Sequence, residues 1–380
     1  MTRATRGGEY TGPTEQSLHL SFELGLKDWK LGFTTDLSAK ARLRVMPARD
    51  LGRLEREIAE AKRSFGLAAT ARVRSCYEAG RDGFWLHRYL VSQGIDNGVV
   101  DSSSIEVNRR MRRAKSDGLD ARKLLTMLVR YHAGEGKVWS VVRVPTVEEE
   151  DRRQLHRELR TLKKERTRTT NRIKGLLANQ GIRLEKNGDL RQRLGRLRLW
   201  DGSPLPAGLV ARLQREWEHA EFLHGKILEL ERERRQAILE GQSPALEKVR
   251  QLMLLKAIGP SGSWVYVHEF FGWRRFRNRK EVGAAAGLTP TPYQSGDGSR
   301  EQGISKAGSR PIRAVAIEMA WCWLRYQPRS KLSLWYQERF GRGGKRARKV
   351  GIVAVARKLL IDLWRFLEHG VIPEGAALKA

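Results

Sequence analysis

Two aspartates near the middle of the chain, Asp117 and Asp120, have the residue type and spacing of metal ligands. Residues three positions apart lie on one face of a helix, so both carboxylates can approach the same divalent cation. The residues just before them are strongly basic: Arg109, Arg110, Arg112, Arg113 and Lys115. Carboxylates beside a basic run favour metal-assisted chemistry on phosphate. For Asp117 alone, an N-cap of the helix is the structural alternative.

Two further acids complete a candidate centre of four carboxylates. A two-metal nuclease site needs several carboxylates that converge from separate elements. Glu23 follows Phe22 in an apolar strand pattern, where a lone carboxylate is costly to desolvate, and Glu78 ends another such pattern. Each acid taken alone is better explained as a surface or capping residue. Together they predict a divalent-metal site of Glu23, Glu78, Asp117 and Asp120, with Asp101 in reserve.

Hydrophobic periodicity in residues 17–146 predicts the elements that position these acids. Alternating patterns predict strands at 18–26, 29–34, 41–45, 71–78 and 98–101. Apolar residues spaced three and four apart predict helices at 51–61 and 85–91. A third helix begins near the aspartate pair. The order of three strands, helix, strand, helix, strand and helix is that of a ribonuclease-H-like α/β domain, which gathers carboxylates at its sheet.

The charge of the chain indicates a polyanionic partner. Lysine and arginine total 73 against 43 aspartates and glutamates, which gives a formal net charge of +30. Nucleic acid is favoured over a membrane, since no run of about 18 apolar residues is present. The polar N-terminal stretch is unlike a signal peptide, and two cysteines exclude a disulfide framework. We therefore expect a cytoplasmic protein in a reducing compartment.

Residues 147–245 predict long, charged helices. One apolar seam runs through 155–176 and another through 209–230, separated by a stretch with glycine and proline at 186–208. This pattern predicts either an antiparallel helical hairpin or a dimerising coiled coil. The basic positions on these helices fit nucleic-acid contact and a solvated face equally well. They are Arg166, Arg168, Arg172 and Lys174.

Residues 246–373 predict a third, mostly helical region, and residues 1–16 and 374–380 predict a flexible N-terminus and a tail. The segment 254–261 is similar to the hairpin of a helix-hairpin-helix element, whose amides can hold a DNA phosphate. Composition predicts a loop at 284–308, and periodicity predicts helices at 309–326 and 346–368. Candidate nucleic-acid contacts are Arg274, Arg275, Arg277, Lys345, Arg346, Arg348 and Lys349.

Several motifs together resemble one family of recombinases. They are YEAG at 77–80, KSDGLDA at 115–121, AGLTP at 286–290, QSG at 294–296 and GISKAG at 303–308. With Glu23, they make the chain from about residue 17 to residue 373 similar to the DEDD transposases of insertion-sequence family one-ten. These recombinases are guided by a bridge RNA. The three C-terminal motifs, at 286–290, 294–296 and 303–308, are more specific for this family than the four acids are.

The resemblance implies catalytic roles. In that family a Holliday-junction-resolvase-like domain carries four acids, a coiled coil follows, and a C-terminal transposase domain carries a serine. Glu23, Glu78, Asp117 and Asp120 would then bind Mg²⁺ or Mn²⁺, and Ser295 would be the nucleophile. The family usually has Asp where this chain has Glu23.

The other assignments concern phosphate and partners. Ser305 is the alternative nucleophile, or else a phosphate-binding residue. Lys306, Arg310 and Arg313 would position the scissile backbone. The resemblance further implies a bridge RNA, donor and target DNA, and a homotetramer.

These observations predict a DNA transposase or recombinase. One alternative is a metal-dependent nuclease of the Holliday-junction-resolvase type, which needs the four acids but has no use for Ser295. A second alternative is a nucleic-acid-binding protein without catalysis. The net charge explains binding in all three cases.

Overall fold

The computed structural model describes residues 16–80, 83–105, 117–135, 138–183, 194–295 and 298–379. The predicted basic residues Arg109, Arg110, Arg112, Arg113 and Lys115 lie outside these ranges. The chain divides into two compact units, one up to Pro145 and one from Thr146 onward. None of the helices in the described ranges is both long enough and apolar enough to cross a bilayer.

The first unit is built on one mixed sheet of five strands. They are β1 (Leu18–Leu24), β2 (Asp28–Thr34), β3 (Arg42–Pro47), β4 (Val73–Glu78) and β5 (Asp96–Val100). The strand order is β3-β2-β1-β4-β5, with antiparallel pairing from β3 to β1 and parallel pairing from β1 to β5. The predicted element order is confirmed, and this mixed α/β unit is consistent with a ribonuclease-H-like domain.

Helices cover both faces of that sheet. They are α1 (Leu51–Ser64), α2 (Trp85–Ser92) and α3 (Asp117–His132). Leu54 of α1 and Leu90 of α2 share a fully buried core with Phe22. On the opposite face, Leu124 of α3 is buried with Cys76. Because strand residues alternate between faces, β4 and β5 each supply residues to both cores.

The second unit begins with two long helices, α4 (Val147–Ala178) and α5 (Ala207–Glu240). Thr146 and Glu149 form a capping box at the start of α4. Lys163 of α4 pairs with Glu231 of α5 at 2.5 Å, whereas Arg172 pairs with Glu216 at 2.7 Å. Residue numbers rise along one helix as they fall along the other, so the helices lie antiparallel within the chain.

The rest of the second unit is mostly helical around one core. Its helices are α6 (Pro244–Met253), α7 (Pro260–Tyr266), α8 (Arg279–Ala285), α9 (Arg310–Tyr326), α10 (Lys331–Tyr336) and α11 (Lys345–His369). Short π-helical turns, Val267–Phe271 and Gln337–Gly341, extend α7 and α10. Trp323 of α9 and Leu359 of α11 are fully buried in this core.

The predicted loop at 284–308 is wrong in its middle part. Residues Pro290–Ser295 form strand β6, which pairs antiparallel with β7 (Gly298–Ile304). The glycine, proline and serine content that suggested a loop is equally suited to a hairpin, in which the cross-strand ladder pairs the backbone groups.

Candidate active site and nucleic-acid surfaces

Glu23 and Glu78 stand at the ends of two neighbouring parallel strands. Phe22 of β1 and Tyr77 of β4 are the last paired residues of these strands. Glu23 and Glu78 each follow that pair by one residue, so the two carboxylates are neighbours at one edge of the sheet. Phe22 and Tyr77 are buried in the core beneath α1 and α2. Strand alternation therefore places both acids on the opposite face.

Helix α3 lies on that opposite face. The Ser21 hydroxyl donates a hydrogen bond of 2.8 Å to the Ala121 carbonyl, and strand alternation puts Ser21 on the face of Glu23. Near the other end of α3, the His132 ring centroid is 5.9 Å from that of His19. The helix thus starts toward the edge that carries Glu23. Its first residues, which include Asp117 and Asp120, directly precede Ala121.

The edge of the sheet opens into a cavity of about 310 Å³. Glu23 and Glu78 line it, together with the YEAG backbone at Ala79 and Gly80. Within the described residues, no group of three or more His, Cys, Asp or Glu side chains is placed to hold a metal ion. The structure places the side chains of Glu23 and Glu78, and for the aspartate pair it gives the position in the first turn of α3. The four-acid site stays a prediction.

Asp101, the reserve acid, lies one residue beyond the level of Glu23 and Glu78. Glu78 is paired with Val100, the last residue of β5, and Asp101 comes after Val100. Its backbone amide donates to the Ser140 carbonyl at 2.9 Å. The register thus favours Glu78 over Asp101 as the neighbour of Glu23.

The two candidate serines lie at opposite ends of the β6–β7 hairpin. Ser295 is the last residue of β6 and pairs with Gly298, the first residue of β7. Ser305 follows β7 at the base, where its amide donates to the Thr289 carbonyl at 2.9 Å. Five residues of extended strand separate the base from Ser295, which is roughly 17 Å at the usual rise. The two serines therefore cannot act on the same phosphorus atom from one hairpin.

Close backbone packing fixes the base of this hairpin. The Arg313 guanidinium donates to the carbonyls of Ala286 and Lys306, at 3.3 and 3.2 Å. Gly287 and Gly308 both have positive φ, at +67° and +117°. A Cβ atom on either would lie 2.5 Å from a backbone oxygen of the facing segment. The glycines of the AGLTP and GISKAG motifs are therefore required by shape, and Arg313 acts in part as a structural clamp.

The predicted basic residues of α4 differ in their surroundings. Arg166 hydrogen-bonds His224 at 2.8 Å, and Arg172 is held by Glu216. Arg168 and Lys174 are exposed. The latter two are thus the better candidates for nucleic-acid contact on this helix.

The basic and aromatic segment at 273–280 is partly core. Trp273 is buried, and Phe276 packs 4.9 Å from Phe270, centroid to centroid. The Arg274 guanidinium lies 4.6 Å from the centroid of the Trp273 ring. Arg275 is exposed, whereas Arg277 is exposed but paired with Glu281 at 2.8 Å. The aromatic residues here stabilise the fold and are not open to stack on bases.

The basic cluster at Lys345, Arg346, Arg348 and Lys349 forms the exposed start of α11. Cations at a helix N-terminus oppose the helix dipole, so this arrangement costs stability unless an anion binds there. Lys306 and Arg310 are also exposed. Their contact with a phosphate backbone stays a prediction.

Sequence reasoning missed a buried ionic cluster. Glu269 accepts two hydrogen bonds from Arg157, at 2.7 and 2.9 Å, and its Oε1 lies 2.9 Å from Nε2 of His156. Burial alone would raise the pKa of Glu269, but these partners lower it to about 2. The cluster ties α4 to the π-helical turn after α7. The partners lie more than a hundred positions apart, so no local pattern indicates the contact.

A large cavity lined by α11 was also missed. Lys349, Val353, Arg357, Ile361 and Arg365 all line it. They follow one another every four residues, so they form one helix face on which basic and apolar residues alternate. The four-residue spacing is visible in the sequence, where it predicts a helix but does not by itself indicate a cavity.

Comparison with known proteins identifies the family. Residues 249–334 match the model of the Transposase IS116/IS110/IS902 family. A putative transposase, y4rJ, of Sinorhizobium fredii strain NGR234 is 42% identical over 96% of this chain and 95% of its own length. This chain belongs to the IS116/IS110/IS902 transposase family. The predicted resemblance to insertion-sequence family one-ten is thereby confirmed at the level of the family.

Two further transposases are similar to this chain at lower identity. The transposase for insertion sequence element IS1328 of Yersinia enterocolitica is 26% identical over 57% of this chain and 63% of its own length. A probable family 20 transposase of Pseudomonas aeruginosa is 27% identical over 60% of this chain and 66% of its own length. The matched segment 249–334 contains the β6–β7 hairpin with both candidate serines. The family match and the similar transposases confirm the prediction of a DNA transposase.

Proposed function

We propose that this transposase cleaves, exchanges and rejoins DNA strands through a covalent serine–DNA intermediate, with its DNA sequences chosen by a bound guide RNA. Its partners are then a bridge RNA and the donor and target DNA, and it acts as a homo-oligomer, a tetramer in the family it resembles. The observation that carries the proposal is the neighbouring position of Glu23 and Glu78, each one residue after the Phe22–Tyr77 pair. Neighbouring carboxylates at that place are suited to phosphoryl transfer assisted by a metal.

The donor set at this edge fits magnesium or manganese. Mg²⁺ prefers oxygen ligands and retains several waters, so a few carboxylates suffice to bind it. Glu23 and Glu78 supply two, and Asp117 and Asp120 would supply the others from the start of α3. A cation bound there would stabilise the negative charge that develops on the phosphoryl oxygens. Glu23 is one methylene longer than Asp and reaches farther from the strand.

The proposed covalent step conserves the phosphodiester bond energy. The Ser295 oxygen gives up its proton and bonds to the scissile phosphorus, and the leaving deoxyribose oxygen takes a proton in turn. Attack by the freed hydroxyl of another strand then reverses the step and releases the serine. One ester replaces another each time, so no nucleotide cofactor is required. The place of Ser295 at the last residue of β6, away from the base of the hairpin, supports this role.

Guidance by RNA is supported by the charge and by what basic surfaces can read. The net charge is +30, and exposed cations occur on separate elements such as Arg168, Arg275 and Arg346. Lysine and arginine that contact phosphates position a nucleic acid but carry little sequence information. Base pairing to a bound RNA would supply the missing sequence choice.

Strand cleavage in Mg²⁺ by acid variants tests the metal site. Glu78→Gln, Asp117→Asn and Asp120→Asn each remove a ligand charge, and we expect cleavage to fall by at least about 100-fold. Binding of the same nucleic acid should change less than about twofold. Asp28→Asn, an exposed acid at the start of β2, is the matched control and should cleave normally. Full activity of Glu78→Gln would remove the basis of the proposal.

Hydrolysis by a metal-bound water is the second candidate, because Glu23 and Glu78 would serve it equally well. Such a nuclease would lose activity with the same acid variants but would be indifferent to Ser295→Ala. The serine variants therefore separate the two reactions.

A further inference from the structure

The second unit contains a cavity of about 1060 Å³ between α8, the base of the β6–β7 hairpin, α10 and α11. Trp335, Phe340, Val353 and Ile361 line it, and all four also pack against the hydrophobic core of this unit. The volume lies at the upper end of ordinary ligand sites. The cavity therefore has an aromatic and aliphatic floor wide enough for flat organic groups.

Positive charge surrounds this floor. Among the described residues that line the cavity, nine are lysine or arginine and two are acids. One of the acids, Glu374, is already paired with Lys331 at 2.7 Å. The excess of cations selects a ligand that carries several negative charges. Apolar floor and cationic rim together fit a polynucleotide strand, in which flat bases and phosphates alternate.

Two polar groups inside the cavity fit the edges of bases. Arg357 lines it, and within the described residues its buried Nε atom has no hydrogen-bond partner. A Cβ on Gly283 would lie 3.1 Å from that atom, so the side chain is held closely against α8. Asp362 lines the same cavity, and burial raises the pKa of its carboxyl against the effect of Arg365 and Lys358. A guanidinium and a carboxyl in one cavity offer a donor and an acceptor to the edge of a base.

We propose that this cavity receives unpaired nucleotides of a DNA strand, with a base against Trp335 and the phosphates on the surrounding cations. In a duplex the faces of the bases are covered by stacking, so only an unpaired strand can use the aromatic floor. The Lys358 ammonium lies 4.5 Å from the centroid of the Trp335 ring. This is a weak contact for an exposed lysine, which can move from the ring to a phosphate when a base arrives.

The neutral polar lining favours DNA over RNA. Ser330 is the one lining side chain of this kind among the described residues. Its hydroxyl is engaged by Trp323 Nε1 at 2.9 Å, the Gln327 carbonyl at 2.9 Å and Ser333 at 3.0 Å. Recognition of RNA commonly uses the 2′-hydroxyl. Among the described lining residues, no neutral polar side chain is left to bind that hydroxyl, so we infer that the ligand is DNA.

The cavity also adjoins the hairpin of the candidate nucleophile. Pro290 and Ile304, the pair at the base of β6 and β7, line its wall. A strand held here would lie beside the element that ends in Ser295. The binding proposal nevertheless stands on the cavity alone and does not depend on the serine chemistry.

Fluorescence anisotropy with the full-length protein tests the proposal. The probes are a short labelled oligodeoxythymidylate, the same length with several abasic sites, a duplex, and an oligouridylate. Trp335→Ala should weaken binding of the oligodeoxythymidylate about tenfold or more and change duplex binding less than about twofold. Trp335→Phe, which keeps a stacking ring, should restore most of the affinity. Trp321→Ala, at an exposed tryptophan of α9, is the matched control and should have no effect.

Three results would overturn the proposal. They are undiminished oligodeoxythymidylate binding by Trp335→Ala, equally tight binding of the abasic strand, and tighter binding of oligouridylate than of oligodeoxythymidylate. Circular dichroism of each variant verifies the fold, and Trp335→Phe keeps the test decisive if Trp335→Ala unfolds. Loss of strand cleavage in the acid variants with normal oligonucleotide binding would leave this inference intact.

Discussion

Glu23 and Glu78 come from strands far apart in sequence and follow the same registered pair, Phe22 and Tyr77. Parallel pairing of β1 with β4 makes the two carboxylates neighbours on the face that α3 covers. That geometry depends on the crossover through α1, because parallel neighbours cannot be joined by a tight turn. The neighbouring position of Glu23 and Glu78 therefore results from the topology of the sheet and not from any local motif.

Side-chain length at position 23 should decide how well a metal is held. We expect Glu23→Asp to retain or raise Mg²⁺-dependent strand cleavage, since Asp keeps the carboxylate on the same strand position. Glu23→Gln and Glu23→Ala should reduce cleavage by at least about 100-fold. Cleavage rates measured across a Mg²⁺ titration distinguish lost affinity from lost chemistry. A fully active Glu23→Ala enzyme would show that Glu23 is not a ligand.

Gly308 should tolerate no side chain. Gly308→Ala combines a φ of +117° with a Cβ 2.5 Å from the Ala285 carbonyl, so we expect the second unit to lose about 2 kcal/mol or more. Gly303→Ala is the matched control: its φ is +87°, but among the described residues no atom beyond its two chain neighbours lies within 4 Å of the added Cβ. It should cost only the backbone strain. Urea unfolding followed by tryptophan fluorescence measures both, and equal losses would contradict the close contact seen here.

The Glu269 cluster should make the second unit sensitive to acid. The pKa of the Glu269 carboxyl is lowered from the usual 4.5 to about 2. The carboxylate therefore binds a proton less readily in the folded state than in the unfolded chain. The stabilisation is present in full above pH 4.5 and is lost as the pH falls toward 2. A shift of this size corresponds to about 3 kcal/mol. Thermal unfolding between pH 7 and pH 2 measures the effect.

Variants separate this cluster from general acid effects. Glu269→Gln should lower the stability at pH 7 by about 3 kcal/mol and flatten the decline below pH 4.5. Glu281→Gln removes the partner of the exposed Arg277 and should cost under about 1 kcal/mol. If the decline in stability below pH 4.5 is unchanged in Glu269→Gln, other carboxyl groups cause the pH dependence.

The elements were predictable where one local pattern determines them. Period-two alternation predicted the five strands, and the cost of burying a carboxylate beside Phe22 singled out Glu23. The β6–β7 hairpin was missed because glycine, proline and serine suit loops and hairpins alike. The burial of Trp273 and the packing of Phe276 were not predicted, because a sequence does not show that the core closes over them. The cavity under Trp335 was missed because its walls come from four separate elements.

Purified protein should carry RNA if a guide chooses its DNA sequences. The +30 charge requires many phosphates for neutralisation, and a structured RNA supplies them together. We expect a raised absorbance ratio at 260 to 280 nm that ribonuclease removes, and RNA of discrete length on a gel. Deoxyribonuclease treatment is the control. A monodisperse, nucleic-acid-free preparation recovered at moderate salt would contradict guidance by RNA.

Trapping a protein–DNA adduct tests the central claim most directly. With guide RNA, Mg²⁺ and a DNA substrate nicked near the cut site, the cut fragment escapes and the serine ester cannot be reversed. We predict an adduct that survives denaturing gel electrophoresis, is lost in Ser295→Ala and is retained in Ser305→Ala. An adduct lost only in Ser305→Ala would move the nucleophile to the base of the hairpin. DNA cleavage by the wild-type protein without any adduct would contradict the covalent mechanism and establish hydrolysis in its place.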